Sequence, residues 1–141
     1  MPAEPDPLEI AARALRHRDR SRAQIAARLE RAGVDAERTS RTLETLERVG
    51  YVDDARFAVA RAAALAERGF GDAGISHDLE ASGVGAEAVE EALAALAPEA
   101  ERAEALAAQL GRTPKTAARL ARKGFAEDSI ELAISPRNRV G

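Results

Sequence analysis

The segment Ile25-Ala-Ala-Arg-Leu29-Glu-Arg-Ala-Gly33-Val34 decides the fold, because the chain contains it in three related forms. It returns 50 positions later as Ile75-Ser-His-Asp-Leu79-Glu-Ala-Ser-Gly83-Val84, and 41 positions after that as Thr116-Ala-Ala-Arg-Leu120-Ala-Arg-Lys-Gly124-Phe125. In each form the first and fifth residues share one face of a helix, and a glycine follows where a helix commonly ends in the left-handed conformation. The sequence therefore predicts tandem repeats, each containing a short helix that ends at glycine.

The common register extends on both sides of this segment. Downstream, Leu43, Leu93 and Ile134 occupy matching positions, and upstream we match Leu15, Leu65 and Leu106. Helix-capping residues at Asp6, Ser21, Asp35, Asp53 and Thr113 mark predicted helix starts. Each repeat is therefore expected to hold three helices, and the predicted fold is all-α: an elongated, curved tandem array of three three-helix repeats.

The register also sets the expected boundaries. Repeat 1 covers residues 8–50, repeat 2 covers 51–97, and repeat 3 covers 98–135 in a shortened form. Residues 1–7 and 136–141 are expected to be flexible tails, because chain ends rich in proline or arginine seldom pack.

The composition agrees with a helical protein that has thin cores. Of 141 residues, 34 are Ala and only four are aromatic. Alanine is the best helix former but buries little area, and the β-branched and aromatic runs of strand-rich folds are missing. The few aromatic rings should therefore matter, and we expect Phe57 to be buried where repeats 1 and 2 meet.

The residue types exclude several classes of function. Cysteine is absent, His17 and His77 lie 60 positions apart, and Gly69-Phe70-Gly71 lacks the lysine and hydroxyl residue of a phosphate-binding loop. We therefore predict no catalysis, no metal and no cofactor. No apolar stretch is long enough to span a membrane, and the first residues lack the pattern of a signal peptide, so a cytoplasmic protein is expected.

Charge is distributed by repeat. Residues 1–50 carry a net charge of +1, residues 51–98 carry −6 and residues 99–141 carry +2. Two basic pairs recur at matched positions of the outer repeats, Arg28 with Arg119 and Arg31 with Arg122. Together with the basic residues around them they are the candidate contacts to a partner or to DNA: Arg16, Arg18, Arg20, Arg22, Arg28, Arg31, Lys115, Arg119, Arg122 and Lys123. The candidate acidic contacts of the middle repeat are Asp72, Asp78 and Glu80. A merely solvated helix face would explain the same charges.

Two further stretches carry a resemblance to a known family. They are Leu46-Glu-Arg-Val-Gly50-Tyr-Val-Asp-Asp54-Ala-Arg-Phe57-Ala and Arg68-Gly-Phe-Gly71-Asp-Ala-Gly-Ile75-Ser-His-Asp-Leu79-Glu-Ala-Ser-Gly83-Val84. With the Arg-rich turn at residues 18–23, they resemble the RecX family of bacterial recombination regulators over residues 8–134. The third repeat resembles the family least, since it is short and lacks the aromatic residues common there.

The resemblance implies a function that periodicity alone does not. RecX-like proteins bind the RecA recombinase, lie in the groove of its nucleoprotein filament, and inhibit filament extension, ATP turnover and strand exchange. They are regulators linked to the DNA-damage and SOS responses, and some also bind single- or double-stranded DNA. By this resemblance the chain is expected to be a RecA regulator without catalytic activity, and its acidic middle repeat favours protein contact there. A monomer is expected because the alanine-rich surfaces are thin.

Two other classes of function stay open on the sequence. A transcriptional regulator with helix-turn-helix units would also show short helices separated by glycine turns. The acidic third helices, with Glu44, Glu47, Glu90 and Glu91, argue against it, because carboxylates repel the DNA backbone. A general helical adaptor protein is the remaining class.

Overall fold

The computed structural model describes residues 4–135, which form nine helices and no strands. In chain order they are α1 (Pro7–His17), α2 (Arg22–Arg31), α3 (Ala36–Arg48), α4 (Asp54–Glu67), α5 (Asp72–Ala81), α6 (Ala86–Ala94), α7 (Glu99–Leu110), α8 (Pro114–Arg122) and α9 (Glu127–Ile134). The all-α prediction is confirmed. Residues 1–3 and 136–141, within the expected tails, lie outside the described residues, whereas Glu4 and Pro5 both contact Arg38 of α3.

The predicted helix starts are confirmed by their caps. Ser21 accepts a hydrogen bond from the Gln24 amide and donates its own amide to the Gln24 side chain, which is a complete capping box. Asp6, Asp35, Asp53 and Thr113 each accept a backbone amide of the helix that follows. Local sequence therefore fixes where these helices begin.

Three separate clusters of buried side chains hold the described helices together. The first joins α1–α3 around Ile25, Leu29 and Leu43, the second joins α4–α6 around Ile75 and Leu79, and the third joins α7–α9 around Leu120 and Phe125. Helix packing is accordingly concentrated within each group of three. Val52, which follows the expected end of repeat 1, still packs in the first cluster.

The buried positions of helix α1 lie one residue before those that the repeat register predicts. Leu65 is fully buried in α4, but the buried residues of α1 are Ala11 and Ala14, while Leu15 is only half-buried. Small alanines at the contact let α1 approach its neighbours closely. The larger apolar side chains of α1 therefore line an outer groove, whose residues are Leu8, Ala12, Leu15, Arg16, Leu46 and Tyr51.

Repeats 2 and 3 meet through the middle helices α5 and α8. The Gly71 amide at the start of α5 donates to the Lys123 carbonyl at the end of α8 (2.9 Å), and the Ala73 amide donates to the Gly124 carbonyl (3.1 Å). Glu99 reinforces this junction by accepting hydrogen bonds from the backbone amides of Asp72 and Ala126. The start of one middle helix thus rests on the end of the next.

Repeats 1 and 2 meet in the same way, with the start of α2 against the end of α5. The Ser21 hydroxyl at the start of α2 donates to the Ser82 carbonyl at the end of α5 (2.6 Å), and the Arg22 amide donates to the Asp54 carboxylate (2.8 Å). Phe57 is 7% exposed and lines a cavity shared with Arg18 of repeat 1. Its expected burial is confirmed, and the ring packs in the core of repeat 2 on the side that faces repeat 1.

Candidate interaction surface

Three of the predicted basic residues line one cavity of repeat 3. Lys115, Arg119 and Arg122 occupy successive turns of α8, where Thr113 caps the helix and Pro114 begins it. All three are exposed, and together with Leu110 they border a cavity of about 270 Å³. None forms an ion pair with residues 4–135, so this surface carries positive charge that the described chain does not compensate.

The matching helix of repeat 1 carries a second basic cluster. Arg28 and Arg31 are exposed on α2, and no carboxylate in the described part of the chain pairs with them. Nearby, the pKa of Arg20 is lowered by burial and by the charges of Arg18 and Arg28. Its Nε is buried without a hydrogen-bond partner among these residues. Like charges therefore lie close together in this cluster. An anionic or acidic partner would relieve their repulsion, so the cluster favours such a partner.

The remaining basic candidates are engaged in different ways. Arg22 is half-buried and pairs with Glu47 at 2.7 Å, so it links α2 to α3. Lys123 lies at the junction of repeats 2 and 3, where its Nζ is 4.2 Å from the centre of the Phe70 ring. Arg16 is exposed and lines the outer groove of α1. The structure thus does not bring all ten basic candidates to one surface.

Two of the three acidic candidates are paired inside the protein. Asp78 accepts two hydrogen bonds from Arg61 (2.9 and 3.0 Å), which hold the pKa of Asp78 below its usual value, although burial opposes that shift. The same hydrogen bonds raise the pKa of Arg61. Asp72 pairs with Arg102 of α7 at 3.0 Å. These carboxylates hold helices together, and their charges are largely compensated.

The free acidic surface of repeat 2 lies instead on α6. Glu80, the third candidate, is exposed and accepts only the Ser76 hydroxyl. Beyond it, Glu87, Glu90 and Glu91 of α6 are exposed and unpaired within residues 4–135. The signal for this surface was present in the sequence as three carboxylates in one short helix.

The described residues hold neither a cluster of metal-binding side chains nor a helix that could span a membrane. No three His, Cys, Asp or Glu side chains in residues 4–135 lie close enough to hold a metal ion. Within the same range, every helix is too short or too polar to cross a membrane. The exposed charges of α2, α6 and α8 are the candidate interaction surfaces of these residues.

Comparison with known proteins assigns the chain to a family. Residues 53–93 match the family model described as RecX, second three-helix domain. The regulatory protein RecX of Chromohalobacter salexigens is 34% identical over 141 residues, which span 94% of this chain and 93% of that protein. The chain belongs to the RecX family. The regulatory protein RecX of Deinococcus radiodurans is 35% identical over 137 residues, covering 90% of this chain and 66% of that longer protein.

Solved RecX structures share the fold. The crystal structure of RecX from Lactobacillus salivarius superposes with a TM-score of 0.77 at 20% identity, covering 91% of this chain and 92% of that one. A second crystal structure of a regulatory protein RecX gives a TM-score of 0.76 at 22% identity, over 90% of this chain and 72% of that one. The helical repeats found here are therefore the RecX fold.

Proposed function

We propose that this chain is a monomeric, cytoplasmic, non-catalytic regulator that binds the RecA recombinase filament and inhibits its extension, ATP turnover and strand exchange. Membership of the RecX family is the observation that carries the proposal. Through RecA, the protein modulates recombinational DNA repair and the SOS response to DNA damage.

The distribution of free charge supports this function. The exposed carboxylates of α6 suit a basic surface of RecA in the middle of the contact. The free cations of α2 and α8 suit either the DNA within the filament or acidic patches on neighbouring RecA subunits. An array of repeats presents a long surface, which can touch more than one subunit of a helical filament. A protein bound along the filament groove would hinder the addition of the next RecA subunit. It would also hinder the closure of the filament that is coupled to ATP turnover.

A DNA-binding transcriptional regulator is the less favoured alternative. In such proteins the third helix of each unit enters the major groove of DNA. Here α3 exposes Glu44 and Glu47, and α6 exposes Glu90 and Glu91. Carboxylates at these positions would repel phosphate rather than bind it.

The test is the ATPase activity of RecA on single-stranded DNA. Adding this protein at equal or lower molar amounts should slow ATP hydrolysis and strand exchange. The reaction is repeated with the variant Arg119→Gln/Arg122→Gln, which should inhibit less strongly. Unchanged ATPase and strand exchange at excess protein would overturn the proposal.

A further inference from the structure

The two junctions between repeats are built in the same register. Ser21 and Gly71 occupy matching positions 50 residues apart, and each donates to a carbonyl at the end of the next middle helix. The two accepting carbonyls belong to Ser82 and Lys123, which also match, 41 residues apart. A middle helix of this fold therefore ends in a surface that receives the first turn of another helix.

Glycine makes the close approach possible at both junctions. Gly83 and Gly124 directly follow the accepting residues and adopt positive φ angles of 82° and 90°. A Cβ atom on Gly83 would collide with the side chain of Ala23, and one on Gly124 would collide with the backbone nitrogen of Gly74. The first turn that docks must likewise carry small residues, as Ala23 and Gly74 do.

Repeat 1 carries the same receiving surface, and no helix within residues 4–135 docks on it. Ala32 and Gly33 match the accepting residue and its glycine, and we call this pair the open end. Both residues are exposed, and a Cβ added to Gly33 would meet no atom within 4 Å. No hydrogen bond from residues 4–135 reaches either carbonyl. The end of α2 thus has the features of the ends of α5 and α8, but no other helix of the described chain docks on it.

A second copy of this chain does not fit the open end well. Its free middle-helix start is that of α8, where Arg112 matches the donors Ser21 and Gly71 and Pro114, which matches Ala73, has no amide hydrogen to donate. A docked copy would also bring Arg112 and Lys115 towards Arg28 and Arg31, and like charges at a contact are unfavourable. The Thr113 hydroxyl at the same start donates to the Thr116 hydroxyl within its own helix. The open end is therefore directed at another protein.

Charge around the open end indicates what that protein presents. Arg28 and Arg31, in the last turn of α2, are exposed and lack acidic partners in the described chain. The first turns of helices favour acidic residues, because these interact well with the helix dipole. A helix that begins with a donor cap, small residues and a carboxylate would satisfy both the open carbonyls and these arginines.

We propose that the open end docks the first turn of a helix of the partner protein, which under the proposed function is a RecA subunit of the filament. The contact repeats the geometry of the two internal junctions, with Ala32 as acceptor and Gly33 as the point of closest approach. This inference rests on the proposed function for the identity of the partner.

The test compares Gly33→Ala with Gly50→Ala. Both glycines follow helices of repeat 1 at similar positive φ angles (88° and 83°), and a Cβ at either meets nothing within 4 Å. The two variants therefore carry the same backbone strain, but only Gly33→Ala places a methyl group where a partner helix would dock. Binding of each to RecA filaments on single-stranded DNA is measured by fluorescence anisotropy, with thermal melting as a check on folding.

Gly33→Ala should bind the filament at least about tenfold more weakly than the parent, and Gly50→Ala within about twofold of it. Equal affinities for the two variants would overturn the docking proposal while leaving the proposed function intact. A parent protein that does not bind the filament would overturn the proposed function, and the choice of partner with it. Concentration-dependent self-association that Gly33→Ala abolishes would assign the open end to a second copy instead.

Discussion

Phe57 shows how much this alanine-rich chain depends on a few large side chains. The ring is 7% exposed, packs with Ala62 and Leu65 in the core of repeat 2, and borders the cavity shared with repeat 1. Removing the ring would leave a cavity in this cluster that neighbouring side chains fill only in part. One ring therefore supports both a core and a junction.

Replacing Phe57 with alanine should lower the free energy of unfolding by about 3–5 kcal/mol, as is typical of buried aromatic residues. Tyr51→Ala is the matched control, since that ring is 66% exposed, and it should change stability by less than about 0.5 kcal/mol. Urea unfolding measures both. Equal losses for the two variants would contradict the account of the core.

The Arg61–Asp78 pair should make stability depend on pH in a defined direction. Because Arg61 lowers the pKa of Asp78 in the folded state, the pair stabilises the protein above the unfolded pKa, and this contribution disappears as pH falls through the folded pKa. Both side chains are about one-third exposed, so the pair contributes at most about 1 kcal/mol.

Asp78→Asn should therefore be less stable than the parent at pH 7, and the difference should shrink between about pH 5 and pH 2. Glu80→Gln, on the same helix and without an ion pair, is the control and should show a smaller difference at pH 7. Denaturant midpoints of the parent and both variants, measured across the pH range, give the stability differences. A stability difference between the parent and the Asp78→Asn variant that grows towards acid would contradict the pairing.

At the scale of helices, the ends of the middle helices explain the arrangement of the repeats. Gly33 and Gly124 have nearly equal positive φ angles, 88° and 90°, but only Gly124 contacts another helix. An alanine at either position carries the cost of the left-handed backbone, roughly 1–2 kcal/mol. At Gly124 the added methyl group would also force α5 away from α8.

Gly124→Ala should thus destabilise the protein by about 1–3 kcal/mol more than Gly33→Ala, which is the range for overfilling a close contact. Thermal and urea unfolding of the two variants provide the comparison. If both lose the same stability, the close approach of α5 and α8 does not contribute to the fold.

The sequence predicts helices better than it predicts their junctions. Caps such as Ser21 and Thr113 act within one turn of the chain, so their neighbours in sequence are their neighbours in space. The predicted register of α1 is one residue away from the observed one, because Leu15 and Ala14 are both apolar and periodicity alone does not say which is buried.

A sequence pattern also does not identify the ion-pair partners of charged residues. The charge pattern predicts that Asp78 faces a partner protein, yet Arg61 on the adjacent helix, 17 positions away, takes both of its oxygens. By contrast Lys115, Arg119 and Arg122 are exposed, since all three lie away from the buried face of α8 that contains Thr116 and Leu120. What these exposed cations bind stays a prediction.

For the whole molecule, the basic surface of α8 should act through charge. Arg119→Gln/Arg122→Gln should weaken binding to the RecA filament while leaving stability within about 0.5 kcal/mol of the parent, because both positions are exposed. The loss of affinity should be smaller at high salt, where screening already weakens the same contacts.

The control is Arg13→Gln/Arg48→Gln, which removes the same charge from exposed positions outside the predicted surface. Titrations at low and physiological ionic strength compare the two double variants. If both bind like the parent at each salt concentration, the arginines of α8 belong to a merely solvated helix face.

The central claim, that this chain regulates RecA by binding its filament, is tested most directly by measuring that binding. The chain has no cysteine, so a single Ala105→Cys substitution at an exposed position of α7, a helix outside the proposed contact, allows one fluorescent label. The labelled protein is titrated with RecA filaments on single-stranded DNA, and with the same DNA alone. We predict saturable binding to the filament that is much tighter than binding to DNA. Equal affinity for DNA with and without RecA, or no binding to the filament, would contradict the account.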